Sequence, residues 1–187
     1  MKDCYKIILL GLGGQGVLFA GKVLAHTAFL EGYKSTFIPT YGPEVQNGPV
    51  KAEVIISREA EIYNPFIEQA GIILVFHKFR LAESKNLITP DGVILGKDFQ
   101  VENQDNHKFL TVNTEAAEAN LNQPRSANII MLGALAGFTG LFEDKSIGET
   151  LKTLLSHRQF NQVSINFKAY KLGKEIIKNQ QQANVRF

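Results

Sequence analysis

The stretch Ile7-Ile8-Leu9-Leu10-Gly11-Leu12-Gly13-Gly14-Gln15-Gly16-Val17-Leu18 constrains the fold more than any other part of this 187-residue chain. An unbroken apolar run, without alternation, is the pattern of a strand buried on both faces. The glycines that follow let the chain turn sharply and let another backbone, or a phosphate, approach closely. From Gly14 onward Val17, Gly21, Leu24 and Ala28 recur on one face of a helix. A strand, a glycine turn and a helix N-terminus together make an anion site, because free N–H groups and the helix dipole point at the loop. Gly11, Gly13, Gly14, Gln15 and Gly16 are therefore candidate binding residues.

The spacing Gly11-x-Gly13-x-x-Gly16 matches the dinucleotide fingerprint. Such a site also needs a carboxylate at the end of the second strand to hold a ribose hydroxyl. Glu31 lies near the required distance, but Gly32 stops the helix there. The second strand, Lys34 to Ile38, runs into Pro39-Thr40-Tyr41 without a carboxylate. Three readings of the loop stay open: a dinucleotide site, a turn that only permits tight strand–helix packing, and a surface for a phosphate-bearing ligand or a partner chain.

Pro39 to Pro49 contains three prolines and two glycines, which argues against a regular element. A loop of this length in a compact domain is more often functional than a short connection is. Tyr41, Glu44, Gln46 and Asn47 can hydrogen-bond, and Asn47-Gly48 suits a turn tip. With Gly42 they form the second candidate set; the alternative is a long rigid turn.

The rest of the chain alternates strand and helix patterns. Val50, Ala52, Val54 and Ile56 share one strand face and Lys51, Glu53, Ile55 and Ser57 the other, as in an antiparallel strand near an edge. Pro65 can open a short helix through Gln69. Gly71 to Phe76 is a second buried strand, and His77 follows its end, where it reads as a satisfied loop histidine or a ligand contact. A short helix is expected over Arg80 to Asn86, a turn at Pro90-Asp91-Gly92, and short strands at Val93 to Leu95 and Phe109 to Val112. Thr114 and Glu115 suit a helix start. Asn128 to Phe142 reads as a buried helix in which Gly133, Gly137 and Gly140 are costly unless the sheet or a neighbouring chain packs very close. Ser146-Ile147-Gly148-Glu149 is a capping box, and the last helix is expected from Ser164, with residues 179–187 frayed. The pattern predicts an α/β fold: a three-layer α/β/α sandwich with a Rossmann-like, mostly parallel sheet, at least one antiparallel strand, and a single domain over 1–187.

Composition narrows the function. A net charge of +2, with basic residues spread along the chain, gives no sign of nucleic acid as a partner. The most apolar segment is too short to span a membrane. The first residues lead straight into a strand without a signal-peptide cleavage region, so a cytoplasmic location is expected. The single cysteine, Cys4, cannot form a disulfide within the chain, and an iron–sulfur cluster needs about four thiolates. No His/Cys/Asp/Glu cluster has metal-ligand spacing, so neither a catalytic residue nor a metal site is assigned.

Gly11-Leu12-Gly13-Gly14-Gln15-Gly16, then Tyr41-Gly42-Pro43-Glu44, then Lys51-Ala52-Glu53-Val54-Ile55-Ile56-Ser57, and finally Asn128 before Met131-Leu132-Gly133 occur in order along the chain. Together they resemble the gamma subunit of the 2-oxoacid:ferredoxin (or acceptor) oxidoreductases, which is also one domain of the fused pyruvate:ferredoxin enzymes. The Tyr-Gly-Pro-Glu stretch is most similar to members acting on 2-oxoglutarate. Where that family has an arginine and two glycines after the glutamate, this chain has Gln46-Asn47-Gly48. The lost charge weakens any anion contact there, while a backbone or amide contact survives.

The resemblance implies an accessory subunit of a thiamine diphosphate enzyme that converts a 2-oxoacid and coenzyme A to acyl-CoA, carbon dioxide and reduced acceptor. It places thiamine diphosphate, Mg2+ and the Fe–S clusters in sister subunits, coenzyme A as co-substrate, and ferredoxin or another acceptor as partner of the complex. It also implies an isolated chain without activity, acting beside the active site by positioning. The alternatives are a free-standing Rossmann-type nucleotide-binding enzyme and a small regulatory ligand-binding module.

Overall fold

The computed structural model describes residues 4–42, 47–100, 107–155 and 160–184. Its strands are β1 (Cys4–Leu12), β2 (Lys34–Tyr41), β3 (Pro49–Ser57), β4 (Ala70–Val75), β5 (Ile88–Lys97) and β6 (Lys108–Val112). They form one sheet of order β2-β3-β1-β4-β5-β6. The apolar run Ile7 to Leu10 is fully buried in β1, which lies inside the sheet as a strand without alternation must. β1, β4, β5 and β6 pair in parallel, and β3 runs antiparallel to both β1 and β2. The mixed sheet and its antiparallel strand near one edge are as the hydrophobic pattern predicts.

The helices are α1 (Val17–Leu30), α2 (Leu81–Leu87), α3 (Thr114–Leu121), α4 (Ala127–Thr139), α5 (Asp144–Leu155) and α6 (Phe160–Asn184). They cover the sheet unequally. Ile7, Leu9, Ile72, Leu74 and Leu95 share a core with side chains of α1, α3, α4, α5 and α6. On the opposite face Ile8, Leu10, Ile55, Ile73, Val75 and Ile94 pack with Ile62 and Ile67 of the 58–69 segment, Leu87 of α2, and Phe99 and Phe109. Among the described residues the second outer layer of the sandwich is thus one short helix and a loop.

The glycines of the apolar helix α4 face α6 of the same chain, rather than the sheet or a neighbouring chain. A Cβ on Gly133 would lie 2.0 Å from the Tyr170 carbonyl oxygen, and one on Gly173 of α6 would lie 1.9 Å from that of Ile130. Only glycine permits backbones this close. Gly140 is not interior to α4; with φ of 71° it caps the helix C-terminus.

Several boundaries differ from the sequence reading. Pro39 to Tyr41 belong to β2, because an edge strand can leave the N–H-less side of a proline unpaired. Phe66 and Ile67 are not helical; the buried Glu53 carboxylate accepts the Ile67 N–H at 3.3 Å and holds the segment extended. β5 starts before the expected turn, and Pro90-Asp91-Gly92 form a bulge where the register with β4 shifts. α5 begins at Asp144, so Ser146 sits inside the helix instead of capping it. α6 begins before Ser164 and runs through residues 179–184, where Gln180 Nε2 donates to the Thr111 carbonyl at 2.9 Å.

Candidate active-site crevice

β1 and β4 are neighbours whose connections leave in opposite directions. From β1 the chain passes through the glycine loop and α1 to β2; from β4 it passes through a 3-10 turn, Lys78–Arg80, and α2 to β5. This is a topological switch point, and the crevice outside the C-terminal ends of such strands is where open α/β sheets bind ligands.

The glycine loop is braced from within. Gln15 Oε1 accepts the Leu12 N–H at 2.8 Å, and Gln15 Nε2 donates to the Phe76 carbonyl at the end of β4 at 3.3 Å. Gln15 thus braces the loop from both ends of its amide. A Cβ on Gly11 would lie 2.6 Å from Val17 Cγ2 and 2.8 Å from Gln15 Oε1, so strand, loop and helix close up there only on glycine. Gly16, at φ of 72°, is the N-cap of α1, and a Cβ on it would fall 2.4 Å from Asn128 Nδ2. Asn128 Nδ2 donates to the Gly16 carbonyl at 3.4 Å, which ties α4 to the loop. Gly14, at φ of 86°, is exposed, and its Cβ direction is open space.

The first-turn N–H groups of α1 have no intrahelical acceptor. No acidic residue stands in that turn, and no side chain caps it. Other helix starts are already filled from within. Asp98 accepts the N–H groups of Thr114 (2.5 Å) and Glu115 (3.0 Å) at α3, and Glu118 Oε1 accepts those of Ser126 (2.7 Å) and Ala127 (2.8 Å) at α4. Among the described residues no side chain occupies the positive end of α1, where an anionic group would be favoured.

The β2–β3 hairpin brings the second candidate set to this loop. Gly42 N–H donates to the Pro49 carbonyl at 2.9 Å and closes the hairpin, and Gly13 N–H donates to the Gly48 carbonyl at 2.9 Å and fastens it to the glycine loop. A Cβ on Gly13 would lie 3.2 Å from the Asn47 amide nitrogen. Asn47 adopts φ of 55°, as the turn-tip reading requires. Tyr41, at the end of β2, is 70% exposed. Glu44 and Gln46 lie outside the described residues.

Arg80 holds the crevice together, and the sequence reading assigned it no role. Its side chain is buried. Nη1 donates to the Gly11 carbonyl at 2.8 Å and to the Val50 carbonyl at 3.2 Å, while Nε and Nη2 meet Glu83 Oε2 at 2.8 and 2.6 Å. One guanidinium thus joins the ends of β1 and β3 to the start of α2. Its acceptors are mainly backbone carbonyls distant in sequence, so no motif betrays it; the i, i+3 pairing with Glu83 is the one local signal. His77 serves the same turn: its Nδ1 accepts the Phe79 N–H at 3.4 Å.

The dinucleotide reading does not fit this geometry. β3 is inserted between β1 and β2, so the end of β2 stands two strand spacings, about 10 Å, from the glycine loop. A ribose held over the loop would find no carboxylate at the end of an adjacent second strand. Among the described residues no group of three or more His, Cys, Asp and Glu is placed to hold a metal, and one cysteine does not fit an Fe–S cluster. A cavity of about 770 Å3 opens at the opposite end of the central strands β1, β4 and β5, lined by Lys6, Glu68, Asp91 and Phe138 among others, away from every described candidate residue.

Residues 6–176 match the family model described as pyruvate ferredoxin/flavodoxin oxidoreductase. The chain is 30% identical over 182 residues to 2-oxoglutarate synthase subunit KorC of Methanothermobacter marburgensis, covering 92% of this chain and 96% of that one. It is 33% identical over 151 residues to pyruvate synthase subunit PorC of the same organism, covering 76% and 81%. Among solved structures it is similar to the gamma subunit of keto/oxoacid ferredoxin oxidoreductase from Geobacter sulfurreducens, with a TM-score of 0.74, 27% identity and coverage of 92% and 98%. It shares its fold with 2-oxoglutarate:ferredoxin oxidoreductase from Magnetococcus marinus, a structure with 2-oxoglutarate, coenzyme A and succinyl-CoA bound. The TM-score there is 0.85 at 20% identity, covering 96% of this chain and 32% of that one.

Proposed function

Because the chain belongs to the pyruvate ferredoxin/flavodoxin oxidoreductase family, we propose that it is the gamma subunit of a 2-oxoacid:ferredoxin or acceptor oxidoreductase complex. That complex oxidatively decarboxylates a 2-oxoacid with coenzyme A to acyl-CoA and carbon dioxide. The 2-oxoacid we assign is 2-oxoglutarate, in keeping with the KorC relative that this chain matches over nearly its whole length. Sister subunits carry the thiamine diphosphate, Mg2+ and Fe–S clusters, in keeping with the single cysteine of this chain and with the lack of a metal-holding His, Cys, Asp and Glu group among its described residues. Reduced ferredoxin or another acceptor leaves through the complex, in the cytoplasm.

The observation that carries this reading is that the family match, residues 6–176, takes in the entire crevice. The chain's own contribution is positional. The glycine loop offers the N–H groups at the start of α1 to an anionic group, either a coenzyme A phosphate or a carboxylate of a sister chain. Tyr41 and Asn47 of the hairpin, fastened to the same loop, contact the sister subunits on the coenzyme A side, and Glu44 and Gln46, which stand between them in sequence, are assigned to the same contact.

The test is the complex purified from its own cells through a tag on this chain. The expected outcome is dye reduction that requires both 2-oxoglutarate and coenzyme A, while the isolated chain is inactive. In the Gly14→Val complex the Michaelis constant for coenzyme A should rise, or association weaken. A valine cannot adopt Gly14's φ of 86° without strain but meets no neighbour there, so the free variant should still fold. Turnover by the isolated chain, or a Gly14→Val complex with unchanged assembly and kinetics, refutes the positional role. A preference for pyruvate over 2-oxoglutarate refutes the substrate.

A further inference from the structure

The thinly covered face of the sheet carries an unusual outer surface. Six large apolar side chains are exposed among the described residues; two of them, Tyr63 (92%) and Phe66 (61%), lie on the 58–69 segment, and a third, Phe79 (74%), lies in the turn that leads into α2. Phe79 differs from the others in how firmly it is presented. It is the middle residue of the 3-10 turn Lys78–Arg80, at the corner where this face meets the crevice. Its N–H is accepted by His77 Nδ1, its ring lies 4.7 Å from the His77 ring, and the Arg80 N–H closes the turn on the His77 carbonyl at 2.9 Å. Arg80, the next residue, is pinned by its bonds to Gly11, Val50 and Glu83. The turn is also cationic: Lys78 is exposed, with Nζ 5.9 Å from the centre of the Phe79 ring.

An exposed phenyl ring on a mobile tip loses conformational freedom when it is captured. A ring on a turn riveted from both sides has already lost most of it, so more of the burial energy appears as affinity. Aromatic anchors of this kind, seated in a desolvated pocket, dominate the energetics of protein interfaces. The lysine beside the ring favours a partner pocket with acidic residues at its rim.

We infer that the His77–Arg80 turn is a preformed anchor. Phe79 plugs an apolar socket with an acidic rim on a sister subunit, and that subunit packs onto the thin outer layer formed by α2 and the 58–69 segment. This inference rests on the subunit reading above and adds the face and the residue through which docking occurs.

The complex isolated from native cells is diluted, and its dissociation is followed by sedimentation, for the wild type and for Phe79→Ala and Lys78→Glu. Phe79→Ala should raise the dissociation midpoint at least tenfold and Lys78→Glu severalfold, with steeper weakening in salt for the wild type than for Lys78→Glu. The isolated Phe79→Ala chain should melt with the wild type, because the ring is mostly in solvent. A complex whose dissociation is indifferent to Phe79 overturns the anchor while leaving the subunit reading standing. So does a variant that loses self-association of the isolated chain instead, since the occupant is then a second copy. A wild-type chain that purifies without sister subunits removes both readings.

Discussion

Arg80→Met separates a structural rivet from an incidental ion pair. The substitution keeps most of the apolar stem and deletes the bonds to the Gly11 and Val50 carbonyls. Gly11 is buried, so its carbonyl is left without water to replace the guanidinium. Hydrogen bonds from charged donors are worth about 1.5–3 kcal/mol, and a buried unpaired acceptor costs a similar amount. The Val50 contact, at 3.2 Å, is the weaker of the two. The total loss should be about 2–4 kcal/mol, counted mostly on Gly11. For a chain of this size that lowers Tm by roughly 5–15 °C. Glu83 tells the two interactions apart. Its side chain is 41% exposed, so Glu83→Gln should cost no more than about 1 kcal/mol, as surface pairs do. Urea and thermal unfolding of the isolated chain, read by circular dichroism, give both values. Amide hydrogen exchange adds a local reading: the Gly13 N–H, bonded to Gly48, should lose protection in Arg80→Met. If the two substitutions cost the same small amount and Gly13 stays protected, the carbonyls are satisfied otherwise, and Arg80 does not assemble the crevice.

Two further outcomes follow from the packing and the charges. Gly173→Ala places a Cβ 1.9 Å from the Ile130 carbonyl oxygen and should cost about 3 kcal/mol or more in urea unfolding. Gly148→Ala, whose Cβ meets only Phe167 at 3.7 Å, should instead stabilise by about 0.5–1 kcal/mol through helix propensity; equal effects would refute the close crossing of α4 and α6. Burial raises the pKa of Asp98, but Lys97, the Thr114 hydroxyl and the Glu115 N–H outweigh it and hold the carboxyl below its ordinary value. A carboxyl lowered by folding stabilises above its unfolded pKa, and that stability is lost as pH falls through the folded value. Asp98→Asn should therefore lower Tm at neutral pH by an amount that shrinks below about pH 4; a pH-independent difference would refute it.

What could be read in the sequence followed from local physics. The doubly buried β1 and β4 and the helix stripe after the glycine loop each repeat a pattern that one element's own environment imposes, whereas the alternation in β3 suggests a partly solvated face that the structure does not have, since Ala52 to Ser57 are buried on both faces between β1 and β2. The glycine loop was legible as a close-approach turn because only glycine meets both the positive φ of Gly14 and Gly16 and the crowding at Gly11. What stayed hidden depends on partners far away in the chain. The bonds from Arg80 to Gly11 and Val50 and from Glu53 to Ile67, and the crossing of Gly133 with α6, connect residues that no window of sequence brings together. Gln15 was read as a ligand contact, since an amide beside a glycine loop has that chemistry. Only the distances to Leu12 and Phe76 show that this amide also braces the loop. The Pro39 boundary failed because a proline is a breaker or a tolerated edge residue according to which strands flank it, and strand order is a tertiary fact.

The reversed direction of β3 has an evolutionary consequence. Since β2 and β3 form a hairpin closed by the Gly42–Pro49 bond, the chain between them is a short return to the neighbouring strand rather than a crossover that must span the sheet. Doubling the length of such a return costs only about 0.6 kcal/mol in closure entropy. Its length and side chains can drift without disturbing the register of either strand, while the Gly13–Gly48 bond keeps whatever replaces them beside the glycine loop. Mutation can thus rewrite the rim of this crevice at little thermodynamic risk, whereas the loop facing it, crowded at Gly11 and Gly16, has almost no room to change.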